Sequence, residues 1–302
     1  MHLSRSILLI FSAGVLTTLA GATPLFSSGP PTGIASNRPF YNNCTTCHAG
    51  TVNSGSGSVT ISGIPPIYTP GATYLVTVTD TDLTARRWGF ELTAQHKNNA
   101  AAGGFSVTEP LRTQLLTAGT GEQYMMHTMA GTYPGTVGPR SWTMDWSAPP
   151  PGSGDIVFAV SGNAANNNNF NTGDRIYNNA VISAEPDGSV PNALIGAQPN
   201  LTNPRRNTTW IINCRVTNTQ GVADVYNVVS RIRLPSGAFF PATGWLAGPT
   251  SLALAAGESG NVRFTHAVPA TAPLVTATYE MYVRDAAGTV LDQDSFGFTV
   301  RP

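Results

Sequence analysis

Cys44-Thr45-Thr46-Cys47-His48 places two thiols and an imidazole within five residues, in the order C-x-x-C-H. Two intervening residues set both sulfurs on one side of a tight turn, where each can add to a vinyl group of the same haem. The adjoining imidazole can then swing beneath the porphyrin as an iron ligand. The chemistry this spacing points to is one covalent haem of the c type, held by Cys44 and Cys47 and ligated by His48. Three other readings of the pair are a local Cys44–Cys47 disulfide, a thiol-redox couple and half of a zinc site. Thiol-redox chemistry wants the pair at a helix N-terminus after a strand, whereas residues 36–43 form a loop-like run rich in Asn and Pro. A structural zinc would need further sulfur ligands. The remaining cysteine, Cys214, lies far along the chain and shares alternate positions with Trp210, Ile212 and Val216, the setting of a buried free thiol.

A second axial ligand must come from elsewhere. Met125, His127 and Met129 alternate onto one face of a strand-like run, with Tyr124, Met126 and Thr128 on the other. An imidazole or a thioether can complete a six-coordinate iron, so His127 is the expected partner of His48, with Met125, Met129 and His96 as other candidates for the sixth position. The plainer reading makes the methionines core filling and His127 a strand histidine. His266 lies in the C-terminal part of the chain, away from the motif. Arg86 and Arg87, beside Trp88, suit either haem propionates or a solvated strand end. The stretch from Asn163 to Gly173, with Asp174 beyond it, has one carboxylate where a calcium loop needs several, and it reads as an Asn-rich turn.

The elements that must position these groups follow from composition and period. Among 302 residues there are 31 Gly and 23 Pro, and only 11% are charged, less than half of the roughly 25% usual in soluble proteins. Sixteen basic residues against sixteen acidic ones exclude a broad attraction to nucleic acid or anionic lipid. Met1 to Ala22 joins Arg5, an apolar run from Ile7 to Leu19 and the triplet Ala20-Gly21-Ala22, the pattern of an export signal cleaved after Ala22. An uncleaved anchor is the alternative, although the run falls short of the ~20 residues of a membrane span. No other stretch is expected to span a membrane. Short alternating runs from Val59 to Ala184 predict one β-sandwich, with a hint of helix at Leu111 to Leu116. After a linker containing Pro191, Pro199 and Pro204, further runs from Thr209 to Val300 predict a second. The expected class is all-β: a signal peptide over 1–22 and two β-sandwich domains over 23–198 and 199–302.

Several separate motifs carry a family resemblance in order. They are Cys44 to His48, Arg86-Arg87-Trp88-Gly89-Phe90-Glu91-Leu92, Gly103-Gly104-Phe105, His127-Thr128 with Gly131-Thr132, Trp142 to Pro149, Gly162-Asn163-Ala164-Ala165-Asn166 and Gly173-Asp174-Arg175-Ile176-Tyr177. Over about residues 35–185 the chain resembles the Reeler-like, choice-of-anchor V domain of bacterial exported proteins. That resemblance implies a β-sandwich with a haem-binding C-x-x-C-H near its N-terminus. Val216-Thr217-Asn218-Thr219 and Leu234-Pro235-Ser236-Gly237 resemble bacterial immunoglobulin-like modules, which implies architecture alone.

The expected function is that of an exported single-haem cytochrome, periplasmic or extracellular, carrying electrons to or from a protein partner that the sequence does not name. The C-terminal domain would serve for spacing, or for docking to a protein or the cell surface. No enzyme is required. A peroxidase-like enzyme, with His127 standing off an open iron, and a surface binding or sensor protein with structural haem are the alternatives. Every proposed ligand precedes residue 199, so the first domain is expected to hold the haem by itself.

Overall fold

Among the described residues, alternation of large apolar with small or polar side chains shapes the first half of the chain into nine strands. They are β1 (Ser58–Ser62), β2 (Thr73–Thr81), β3 (Arg87–His96), β4 (Gly104–Val107), β5 (Thr113–Thr117), β6 (Gln123–His127), β7 (Arg140–Ser147), β8 (Ile156–Ala165) and β9 (Arg175–Ser183). The computed structural model describes residues 26–186 and 190–302. The export signal expected over 1–22 lies outside the described residues.

Two antiparallel sheets, ordered β1-β2-β7-β4 and β5-β6-β3-β8-β9, face each other across one apolar layer. Trp142, Met144 and Trp146 of β7 are fully buried there, as are Ile156, Phe158 and Val160 of β8, each set on one strand face as its spacing predicts. Trp146 meets Phe158 edge-on at 4.7 Å, and Phe90 packs on Trp142 at 4.5 Å. The expected helical hint is overturned: β5 pairs with β6 from Thr113↔His127 to Thr117↔Gln123. Leu111 and Leu116 stay exposed, so the apolar stripe that would hold a helix against the core does not form.

The second half adds β10 (Ala193–Pro199), β11 (Thr208–Asn218), β12 (Asp224–Arg233), β13 (Phe239–Phe240), β14 (Ala247–Leu254), β15 (Ser259–Val268), β16 (Thr276–Arg284) and β17 (Val290–Thr299). A sheet of order β10-β11-β15 faces one of order β13-β12-β16-β17, in which β14 also pairs with β12. Trp210, Ile212, Cys214 and Val216 all lie in the core between them, and Cys214 is a free, fully buried thiol. The stretch expected to be a linker contains β10, which pairs with β11 from Ala193↔Asn218 to Pro199↔Ile212. A division at 198/199 therefore cuts a strand.

The segment ahead of Cys44 also belongs to this second core. Tyr41 is buried within it, edge-on to Phe296 at 5.8 Å. The buried Arg38 guanidinium pairs with Asp294 and donates to the Ser295 carbonyl at 3.0 Å. Among the described residues no helix is long and apolar enough to cross a membrane.

Candidate functional site

The outer face of the five-stranded sheet holds the C-x-x-C-H segment. On that face β3 presents Gly89 and Glu91 directly opposite Asn163 and Ser161 of β8. Gly and Ser leave room for a chain to lie close against the strands. Glu91 fixes the approach by accepting the Gly33 and Ile34 amides at 3.2 and 2.7 Å. Burial pushes the Glu91 carboxyl up to about 8, against the lowering effect of those two donors.

Cys44–Thr46 is a single 3-10 turn, begun by Asn43, whose side chain accepts the Thr45 amide at 3.0 Å. The Cys47 and His48 amides both donate to the Cys44 carbonyl, at 3.2 and 2.9 Å, which folds the two cysteines and the histidine around one point. Ser161 secures the turn from below: its hydroxyl accepts the Cys44 amide and donates to Cys44 Sγ, each at 3.1 Å. Both thiols are free. Burial pushes the Cys44 thiol up to about 12, and the Ser161 hydrogen bond opposes it. A free thiolate is disfavoured at such a place, which weighs against thiol-redox chemistry; a thioether carries no charge to desolvate.

His48 points into the same space. Its Nδ1 lies 2.6 Å from Oδ2 of the buried Asp174, and the Asn163 amide nitrogen lies 3.3 and 3.2 Å from Nδ1 and Nε2.

His127 stands across the cleft. The ladder between β3 and β6 runs from Thr93↔Tyr124 to Glu91↔Met126. Beyond that end the ring crosses to Gly89, where an added Cβ would sit 2.8 Å from Cε1. His127 Nδ1 lies 3.1 Å from the Phe90 amide and 3.2 Å from the Phe90 carbonyl. Only donation from Nδ1–H to the carbonyl leaves Nε2 a lone pair for a metal. The Phe26 backbone is a further hydrogen-bond partner of the ring, so ligation requires that this bond yield. Burial, opposed by these backbone bonds, holds the imidazole down at about 4, in its neutral, ligating form.

Cys44, Cys47, His48 and His127 line one cleft that opens to solvent. Phe26, Pro30, Ile34 and Phe170 supply apolar walls. Free paired sulfurs, a hydrogen-bonded imidazole, a second imidazole and apolar walls are the donor set of a c-type haem site. Among the described residues no group of three or more His, Cys, Asp or Glu is arranged to hold a bare metal ion; an axially ligated haem iron needs only two such side chains.

Met125 and Met129, the thioether candidates for the sixth position, do not line the cleft. Met125 is buried between the sheets, and Met129, after the strand has ended, is exposed beside the 3-10 turn Ala130–Thr132. His96 sits at the opposite end of β3, about 23 Å from Gly89 at ~3.3 Å per residue, and meets the Asp155 carbonyl. His266 bonds to Tyr279 in the second core region. Arg87 lines the cleft and donates to Thr132, whereas Arg86 is spent on the Leu83 and Ala85 carbonyls. Ser161, Gly89 and the Asp174 contact are the site residues sequence reasoning missed. Gly89 carried a signal, since a lone glycine inside a strand pattern marks a close approach.

No protein-family model matches the chain, and no curated protein does. Among solved structures it is similar to the reelin-N domain of F-spondin, at 21% identity over 48% of this chain and 96% of that one, TM-score 0.34. It is similar to the human F-spondin reeler domain at 23% identity over 44% and 94%, TM-score 0.32. A third is the C-terminal domain of the Streptococcus agalactiae AgI/II polypeptide BspA, at 12% identity over 82% and 100%, TM-score 0.29. Overlaps this slight establish neither fold nor function.

Proposed function

We propose that the protein is an exported single-haem c-type cytochrome, an electron-transfer module of the periplasm or cell exterior, built on a Reeler-like, choice-of-anchor V domain. The observation that carries this reading is convergence: Cys44, Cys47 and His48 share one apolar cleft with His127, from a strand about eighty residues further on. Bound haem would supply one-electron exchange between ferric and ferrous iron. The chain's own residues do the rest. Cys44 and Cys47 would tether the group, His48 and His127 would offer imidazole nitrogens to its iron, and the Phe and Pro side chains would wall it. Arg87, at the cleft edge, has the guanidinium fork that suits a propionate. Support for the Reeler-like assignment is the order of sequence motifs from Cys44 to Tyr177, and the export assignment rests on the pattern of Met1 to Ala22.

The test is the optical spectrum of the ferrous protein with and without carbon monoxide. A six-coordinate low-spin form that does not bind carbon monoxide is expected. A high-spin form that binds the gas readily would overturn the electron-carrier reading in favour of a peroxidase-like enzyme or a sensor, with His127 standing off the iron.

A further inference from the structure

The Asn-rich stretch between β8 and β9 is a cradle for the histidine of the C-x-x-C-H motif. Its fold is self-held. Asn166 and Asn168 accept the Asn168 and Phe170 amides at 3.0 and 2.8 Å, and both donate to the Thr172 carbonyl at 3.0 Å. Asn167 and Asn169, at φ of 62° and 63°, occupy the left-handed region that asparagine tolerates. The loop is then fastened to the motif. Asn171 Nδ2 donates to the Cys47 carbonyl at 2.9 Å, and the Ala49 amide donates to the Asn171 carbonyl at 2.7 Å. Asp174 closes the arrangement with Oδ1 accepting the Asn166 amide at 3.1 Å and Oδ2 at 2.6 Å from His48 Nδ1.

Two groups compete for His48 Nδ1. Asn163 could donate to it, which would put the ring proton on Nε2 and turn a blocked nitrogen to the cleft. A carboxylate can only accept, and 2.6 Å is the length of a charge-assisted bond against 3.3 Å for the amide. The carboxylate wins: Nδ1 carries the proton, Nε2 keeps its lone pair, and the Asn163 amide 3.2 Å from Nε2 must give way for iron to bind there. A hydrogen bond of this kind fixes a ligating histidine's tautomer and raises its basicity, and its removal costs about 10–100-fold in metal affinity.

We propose that Asp174 is the positioning residue of the haem site: it turns His48 Nε2 toward the iron and, by drawing on Nδ1–H, makes the imidazole a stronger donor that favours ferric over ferrous iron. This rests on the cytochrome reading. No proton leaves the pair, so the effect is on the reduction potential and its electronic signature. The loop from Asn166 to Gly173 exists, on this view, to hold one carboxylate still.

The experiment is spectroelectrochemical titration of the full-length, haem-bearing protein, with proton NMR of the diamagnetic ferrous form. Asp174→Asn and Asp174→Ser should each raise the midpoint potential by about 59 mV, the one-electron equivalent of about a tenfold loss of ferric preference. Each should also move the His48 Nδ1–H resonance upfield, and Asp174→Glu should restore much of both. Neutral variants that keep covalent haem and show the wild-type potential and resonance would overturn the inference alone. A wild type without covalent haem would overturn the cytochrome reading with it.

Discussion

Gly89 sets the position of His127 by having no side chain. Gly89→Ala puts a methyl group 2.8 Å from the ring carbon, and either the imidazole or the strand must move. The ring is the softer of the two, so the variant should fold with an overpacking loss of about 1–3 kcal/mol. It should lose the expected low-spin spectrum, as should His127→Ala. A low-spin spectrum unchanged in both variants would remove His127 from the iron. Glu91 gives the second residue-scale prediction. Its carboxyl ionises near 4.5 when unfolded and about 8 when folded, so between those values the folded protein binds the extra proton. The stabilisation is fully present below about pH 4.5 and is lost as pH rises through about 8, with a slope of up to about 1.4 kcal/mol per pH unit. Glu91→Gln should flatten the fall in urea midpoint between pH 5 and 8, leaving the same-direction contribution of buried Asp80. Parallel pH profiles for the two proteins would contradict it.

Among the elements, β8 carries the site from beneath through Ser161 and Asn163. Ser161→Ala strands a buried Cys44 amide without an acceptor, a cost of about 1–3 kcal/mol. Chemical denaturation should read that loss, and a difference under about 0.5 kcal/mol would mean that the turn relaxes to find another acceptor. Most of these strands were legible as period-two runs, since Trp142 to Trp146 and Ile156 to Val160 bury one face each. β5 was not, because its edge position leaves Leu116 exposed and gives it no clean alternation. Neither was β10, whose Pro and Gly content reads as a linker although both its neighbours bury it. The turn that gathers Cys44, Cys47 and His48 was legible from local spacing. His127 lines the same cleft, although the alternation that singled it out ends at that very residue. The contact of Asp174 with His48 escaped notice because the two lie 126 positions apart.

At the scale of the whole molecule the two halves share the attachment segment. Arg38 and Tyr41, six and three residues ahead of Cys44, are buried against Asp294, Ser295 and Phe296. The C-terminal half therefore clamps the chain that leads into the motif, which revises the expectation that residues 23–198 hold the haem unaided. Asp294→Ala leaves the Arg38 charge buried and unpaired, and should cost about 3–5 kcal/mol. Its melting should drop accordingly, and limited proteolysis should cut near residue 40 sooner than in the wild type. Equal proteolysis rates would show that the clamp is dispensable. The claim on which all of this depends is covalent haem on Cys44 and Cys47. The most direct measurement is the intact mass of the full chain, expressed with haem-maturation machinery and extracted with acid acetone. One haem's added mass should survive extraction and vanish in the Cys44→Ala, Cys47→Ala double variant; a wild-type chain whose haem extracts completely, or that never acquires any, would contradict the account.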